Sequence, residues 1–336
     1  LGLFIATGPL ESSGYCTSCN RNTTFASDSA TNRTTRALSS TPKDCWIFIH
    51  LVKAGGSTVN SLIHSSMSKM QSSVGLYTNH HWMREKDKPD KGAETRKHAM
   101  TFGAYTEALR SHRGQDCKWF TMFRHPISRL VSAYFYCKQR GRDELCASTI
   151  VKADNIDLHT FAEHWGNYAL RQFSLAFVRA DEVFAAEQKR GIPGRPVEFP
   201  GWYRVKEYFE SLEGTEEARS LLHGSRVRND LAMHRLLQPV EDLLSNSYSA
   251  VGILEQWEKS MKLFNRALKL PHFDWPSASK TLGRQNIDER LRHEEARALH
   301  SAWDDPIIKD RLWLDLLLYN HAVSVHNRQV AEHGVS

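Results

Sequence analysis

The chain predicts an α/β fold in which a central parallel sheet carries helices on both faces, and three stretches point to it. Trp46 to Val52 is a short, nearly continuous apolar run of aromatic and β-branched residues, the composition of a parallel strand covered on both sides. It gives way at once to a Gly-Gly turn and a helical pattern from Thr58 to Met70. Trp119 to Phe123 repeats the arrangement: it ends at Arg124, and Pro126 stands where the first turn of a helix tolerates a missing N–H. Ala250 to Leu254 reads as a third short strand, and Glu255 begins a helix to about Leu268.

In the first unit, Lys53 to Thr58 (KAGGST) reads as an anion-cradling turn. Gly55 and Gly56 let the backbone turn sharply and bring its N–H groups against an anion. Ser57 and Thr58 add hydroxyl donors, and the helix they open aims its positive dipole end at the same place. Lys53 precedes the glycines, whereas the nucleotide-triphosphate loop G-x-x-x-x-G-K-[ST] puts its Lys after them. The bland alternative is a plain strand-to-helix turn with a solvated Lys53.

In the second unit a helix follows from Ile127, with Ile127, Leu130, Val131, Tyr134 and Phe135 on one face. Arg124 at the strand end and Ser132 on that helix converge on one anion at the carboxyl edge of the sheet. Arg124 and Arg129 are otherwise ordinary solvated or ion-paired arginines.

Asp157 to Arg179 suggests one or two helices, Gly191 to Gly201 a loop, and Glu216 to Leu222 and Asp230 to Leu244 further helices. Met70 to His98 reads as polar and irregular, and Pro271 to Asn286 as a loop carrying Lys280 and Arg284. The carboxyl end, Asp288 to Trp303 and Pro306 to about Val330, is strongly helical.

The order of these pieces resembles the sulfotransferase superfamily, enzymes that use 3′-phosphoadenosine 5′-phosphosulfate (PAPS). KAGGST resembles its 5′-phosphosulfate loop. RHPISRLVSAY, Arg124 to Tyr134, is similar to the R-D-P-x-x-R-x-x-S-x-Y element that binds the 3′-phosphate in carbohydrate sulfotransferases of the heparan 2-O and 6-O type, with His125 where the family usually has Asp. Asn167 to Gln172 resembles the N-x-x-x-R piece lining the active site, VGILEQWEKS resembles V-G-x-x-E-x-[FW]-x-x-S, and Asp315 to Tyr319 echoes the D-x-x-L-Y ending.

The resemblance implies a P-loop-like three-layer fold and transfer of a sulfuryl group from PAPS to a hydroxyl of a carbohydrate acceptor, without a metal. Other readings of the same motifs are a protein-tyrosine or small-molecule sulfotransferase, and a nucleotide- or glycan-binding relative without catalysis. It implies that Lys53, Ala54, Gly55, Gly56, Ser57 and Thr58 bind the 5′ end of the donor and Arg124 and Ser132 its 3′-phosphate. Lys280 and Arg284 belong to a loop that closes over the nucleotide, and Asn167 and Arg171 to the acceptor side. The base that takes the acceptor's proton is His98 on this reading, with His81 and Glu107 behind it. These assignments span a catalytic domain over residues 42–333.

Composition agrees with an ordinary globular domain, at 40% hydrophobic and 24% charged residues over 336 positions. The net charge of +6 suits an anionic ligand, but the cations are too dispersed to argue for nucleic acid. Residues 1 to 41, rich in Ser, Thr, Asn and Gly, have the composition of a stem or linker. There are six Cys, at 16, 19, 45, 117, 137 and 146. Cys45 and Cys117 each precede one of the two strands, where a bridge between neighbouring strand starts is possible, and Cys137 and Cys146 could close a small loop; six reduced thiols are the other reading. The sequons at Asn22 and Asn32 favour a secretory compartment. With the resemblance, they imply a Golgi lumenal enzyme whose membrane anchor lies upstream of Leu1 or ends there.

Overall fold

The computed structural model describes residues 44–70, 74–78, 98–103, 117–139, 156–174, 237–270, 273–282 and 292–336. The expected stem, His81, Glu107, Arg284 and the Pro-rich stretch at 191–201 lie outside them.

Five strands form one parallel sheet: β1 (Asp44–Ile49), β2 (Val74–Thr78), β3 (His98–Gly103), β4 (Lys118–Phe123) and β5 (Tyr248–Ile253). Their order is β2-β3-β1-β4-β5, so β1 is central, as its unbroken apolarity requires. Trp46, Ile47, Phe48 and Ile49 are each at most 1% exposed, alternating between the two faces. On one face Trp46 and Phe48 pack with Phe120, Met122 and Ala250. On the other, Ile47 and Ile49 pack with Val251 and Ile253.

Helices cover each face. The first is served by α1 (Gly56–Met70) through Val59, Leu62 and Ile63. The second is served by α2 (Pro126–Gln139) and by α3 (Leu158–Trp165) and α4 (Tyr168–Ser174), two helices where one or two were expected between Asp157 and Arg179. Beyond them α5 (Gln238–Asn246) leads into β5. A 3₁₀ turn, Leu254–Gln256, then opens α6 (Trp257–Leu268), which buries Met261, Leu263 and Phe264 on the α1 side. The carboxyl end is α8 (Arg292–Asp304), α9 (Pro306–Arg311) and α10 (Trp313–Glu332). The last of these lays Leu314, Leu318, Ala322 and Val325 on the α2 side.

Two expectations are corrected. The stretch Met70 to His98 contains β2, and β3 begins at His98; both are short strands set to one side of β1, without the continuous apolar run that marks β1 and β4. The stretch Pro271 to Asn286 contains α7 (Trp275–Leu282), where the Asp274 carbonyl accepts the Ala278 N–H at 3.0 Å and Pro276 falls in the tolerant first turn. Its fully buried Trp275 anchors the helix against Phe120, Phe264 and Phe273.

A disulfide joins Cys45 and Cys117 across the starts of β1 and β4. Cys137 on α2 is disulfide-bonded as well, and the partner considered for it, Cys146, lies outside the described residues.

Candidate functional site

The chain leaves β1 for α1 on one face and leaves the adjacent β4 for α2 on the other. Neighbouring strands whose connections diverge in this way open a crevice at their carboxyl ends. The Lys53 turn and Arg124 both lie there. Buried Thr121 ties the two strands at this edge, its hydroxyl donating to the Ile49 carbonyl at 2.9 Å.

The turn is tight. The Ala54 N–H reaches the Leu51 carbonyl at 3.2 Å, Lys53 holds φ +63° and Gly55 holds φ +83°. A left-handed Lys is uncommon and costs conformational energy, so it persists only where surrounding contacts fix it. One such contact is Arg124, whose Nη1 donates to the Lys53 carbonyl at 3.2 Å. The two motif cations therefore share one backbone joint. Gly56 is equally constrained, because a Cβ there would stand 1.8 Å from the His50 ring. From Gly56 the helix opens, and its first backbone bond is Val59 N–H to the Gly55 carbonyl at 3.0 Å. The N–H groups of Gly56, Ser57 and Thr58 precede that bond and point out of the first turn, at the positive end of the helix.

The Lys53 ammonium lies over the Tyr136 ring of α2, 4.5 Å from its centroid. Half-buried Ser132 precedes Tyr136 by four residues and so shares its stripe of α2. Lys53, Gly55, Gly56, Ser57, Thr58 and Arg124 thus share one edge, and Tyr136 ties Lys53 to the stripe of α2 that carries Ser132. Ala54 is buried in the turn and contributes backbone only.

Other expected residues are placed elsewhere. His98 starts β3 opposite Asp44, whereas the carboxyl edge of that pair is Gly103 opposite Ile49. At ~3.3 Å per residue this sets the His98 backbone about 16 Å from the turn, at the wrong end of the sheet for a base. Asn167 is 1% exposed, with its Oδ1 accepting the Asp315 N–H at 3.1 Å, so its side chain is spent on the fold. Arg171 lies in α4. Lys280 is exposed near the end of α7, and among the described residues no contact brings it to the turn.

Three residues at this edge were not singled out from the sequence. His50 interrupts the apolar run one residue past β1 and packs against Gly56, and its polar ring within that run was the available signal. Tyr136 faces Lys53. Glu255 accepts the His125 backbone N–H at 2.9 Å through Oε1 and the Tyr319 hydroxyl at 3.1 Å through Oε2. Burial keeps the His125 imidazole below its ordinary value against the opposing pull of Glu255, and burial with the Glu255 charge pushes Tyr319 up. Both are neutral near pH 7.

The remaining motif residues interlock behind the crevice. Arg129 and Asp315 are both buried, with Nη2 and Oδ2 3.5 Å apart. The Arg129 guanidinium lies 4.6 Å from the Tyr168 ring centroid. The Asp315 carboxylate accepts the N–H groups of Ala169 and Leu170 at 3.0 and 2.9 Å, at the start of α4. Burial lowers the Arg129 pKa, and the Asp315 charge opposes it.

Among the described residues no group of His, Cys, Asp and Glu could hold a metal ion, and no helix is long and apolar enough to cross a membrane. No protein-family model matches the chain, and no curated protein matches it.

Proposed function

We propose that the chain is a PAPS-dependent sulfotransferase of P-loop-like three-layer architecture, acting on a hydroxyl of a carbohydrate acceptor. The observation that carries the reading is the Arg124 guanidinium seated 3.2 Å from the Lys53 carbonyl, at the point where the connections from β1 and β4 diverge. An anion-binding turn and a second cation joined there suit a ligand with phosphates at both ends. The residues fit such a group: two positive-φ turn residues, outward N–H groups at the start of α1 and a hydroxyl on the facing stripe of α2.

PAPS supplies the sulfuryl group, which passes to the acceptor oxygen as its bond to the 5′-phosphate breaks. Lys53 neutralises the oxygens that gain charge on the leaving side, with the N–H groups of Gly56 to Thr58 as fixed donors. Arg124 and Ser132 hold the 3′-phosphate and set the register. The proton leaving the acceptor hydroxyl needs a base at this same edge. His50 takes that role in place of His98, since its ring lies against Gly56. The secretory setting proposed with this reading, the Golgi lumen, is supported by the Cys45–Cys117 disulfide.

A second reading, a nucleotide- or glycan-binding relative without turnover, is favoured by the position of His98 alone.

Calorimetric titration with 3′-phosphoadenosine 5′-phosphate, without Mg, tests the proposal. The wild type is expected to bind, and Lys53→Ala and Arg124→Ala each to weaken binding tenfold or more, about 1.4 kcal/mol. Absence of binding by the wild type refutes it. Binding in which PAPS is never consumed with any glycan acceptor selects the second reading.

A further inference from the structure

The joint between Lys53 and Arg124 is braced from β5. Strands β4 and β5 pair with Phe123 opposite Ile253, and two residues further along each chain His125 stands beside Glu255, in the 3₁₀ turn. There Glu255 Oε1 accepts the His125 N–H at 2.9 Å, and Oε2 accepts the Tyr319 hydroxyl of α10 at 3.1 Å. Both donors are neutral, and among the described residues no lysine or arginine pairs with Glu255. The carboxylate is therefore spent on holding a direction, not on balancing a cation. The His125 N–H belongs to the same rigid peptide plane as the Arg124 carbonyl, so holding it fixes the ψ angle of Arg124. Pro126 in turn disfavours helical conformations at His125. On its other side Arg124 follows Phe123, the last paired residue of β4. The root of the Arg124 side chain is thus clamped from both directions, and its Nη1 reaches the Lys53 carbonyl.

We propose that Glu255, braced by Tyr319, is a positioning residue that aims Arg124 at the 3′-phosphate of the donor through the Arg124–His125 peptide. The inference rests on the sulfotransferase reading only for the identity of that ligand. The rival role is a cap for α2, since the His125 carbonyl accepts the Arg129 N–H at 2.9 Å and a carboxylate on the N–H of a capping residue steadies a helix start. Glu255 is exposed, so water can take its place on the His125 N–H and its loss leaves no buried donor unmet. Removing it therefore costs the fold little, and the effect falls on the side chain whose backbone it holds.

Guanidinium ¹⁵N NMR on the full chain, with the Arg124 signal identified by its loss in Arg124→Lys, tests this without any ligand. In Glu255→Ala that signal should move to the position of a solvent-exposed arginine. In Glu255→Gln it should stay, because the amide oxygen still accepts from His125 and the Tyr319 hydroxyl can turn to accept from the amide NH₂. Calorimetry with 3′-phosphoadenosine 5′-phosphate should show affinity reduced about fivefold or more in Glu255→Ala and restored to within about twofold in Glu255→Gln. Adding Glu255→Ala to Arg124→Ala should weaken binding no further, since the first acts through the second. Urea midpoints should stay close to that of the wild type. An Arg124 signal unmoved in Glu255→Ala overturns the inference, and a lowered urea midpoint beside it assigns Glu255 to capping α2. Equal losses of affinity in Glu255→Ala and Glu255→Gln, or a loss that persists without Arg124, also overturn it. If the wild type binds no nucleotide, the sulfotransferase reading falls, and the Arg124 signal alone decides whether Glu255 positions that side chain.

Discussion

Asp315→Asn is the substitution whose cost the structure sets most directly. It keeps the shape of a buried side chain and removes its charge. Asp315 is 1% exposed and accepts from two donors, Leu170 N–H on Oδ1 and Ala169 N–H on Oδ2, while Oδ2 is also ion-paired with the Arg129 guanidinium at 3.5 Å. Arg129 is 2% exposed and would be left as a buried charge without its carboxylate, a loss of about 3–5 kcal/mol. Whichever way the new amide turns, its NH₂ faces one of the two α4 N–H groups, which by itself costs about 1–3 kcal/mol. The two losses share Oδ2 and do not add in full, so about 3–5 kcal/mol is expected. Against a typical total of about 5–15 kcal/mol, that brings the domain to the edge of unfolding. Urea unfolding followed by circular dichroism at pH 7, disulfides intact, measures it. Adding Arg129→Met should restore part of the loss by removing the unpaired charge. A shift below about 1 kcal/mol, or a double variant that loses the sum of the single losses, refutes the argument.

Gly56→Ala places a methyl group 1.8 Å from the His50 ring; the ring or the turn must move, and nucleotide affinity should fall tenfold or more by calorimetry with helix content unchanged. The Cys45–Cys117 bridge spans 72 residues, for which chain entropy gives about 4 kcal/mol. Cys45→Ser with Cys117→Ser should lower the urea midpoint accordingly, and an unchanged midpoint would show that the bridge contributes nothing. His326 is fully buried, its Nδ1–H donating to the Val251 carbonyl at 2.8 Å, and burial holds its imidazole below its ordinary value. The unfolded chain then binds a proton that the folded chain refuses, so stability is lost as pH falls below about 6.5. The urea midpoint should drop between pH 7 and pH 5 in the wild type and drop less in His326→Gln.

What was legible in the sequence follows continuous apolarity, not place in the sheet. β1 and β4 carry such runs, which mark them without context; the Gly-Gly turn and Pro126 mark where each ends. β2 and β3 lie to one side of β1 and carry no such run, so Val74 to Thr78 falls in a stretch that reads as irregular and His98 to Gly103 does not read as a strand. The position of His98 at the amino-terminal edge follows only from the strand pairing. Lys53, Arg124 and Ser132 could be placed because strand-to-helix units fix them locally. Asn167 and Glu255 could not, because their partners, Asp315 and Tyr319, lie 148 and 64 positions away.

His125 shows what such long-range contacts do to a motif. An Asp at this position, directly before Pro126, would bring an anion to the start of α2. Here the anion comes from Glu255, which binds the His125 N–H from the far side of β5 and is itself held by Tyr319. The carboxylate still fixes the backbone beside Arg124, so that the guanidinium meets the Lys53 carbonyl. The substituted side chain is thereby released from capping, and it turns to Trp303 and Tyr319, with ring centroids at 4.1 and 5.1 Å. The His125 side chain thus leaves the Lys53–Arg124 joint in place and packs instead among the rings of the carboxyl-terminal helices.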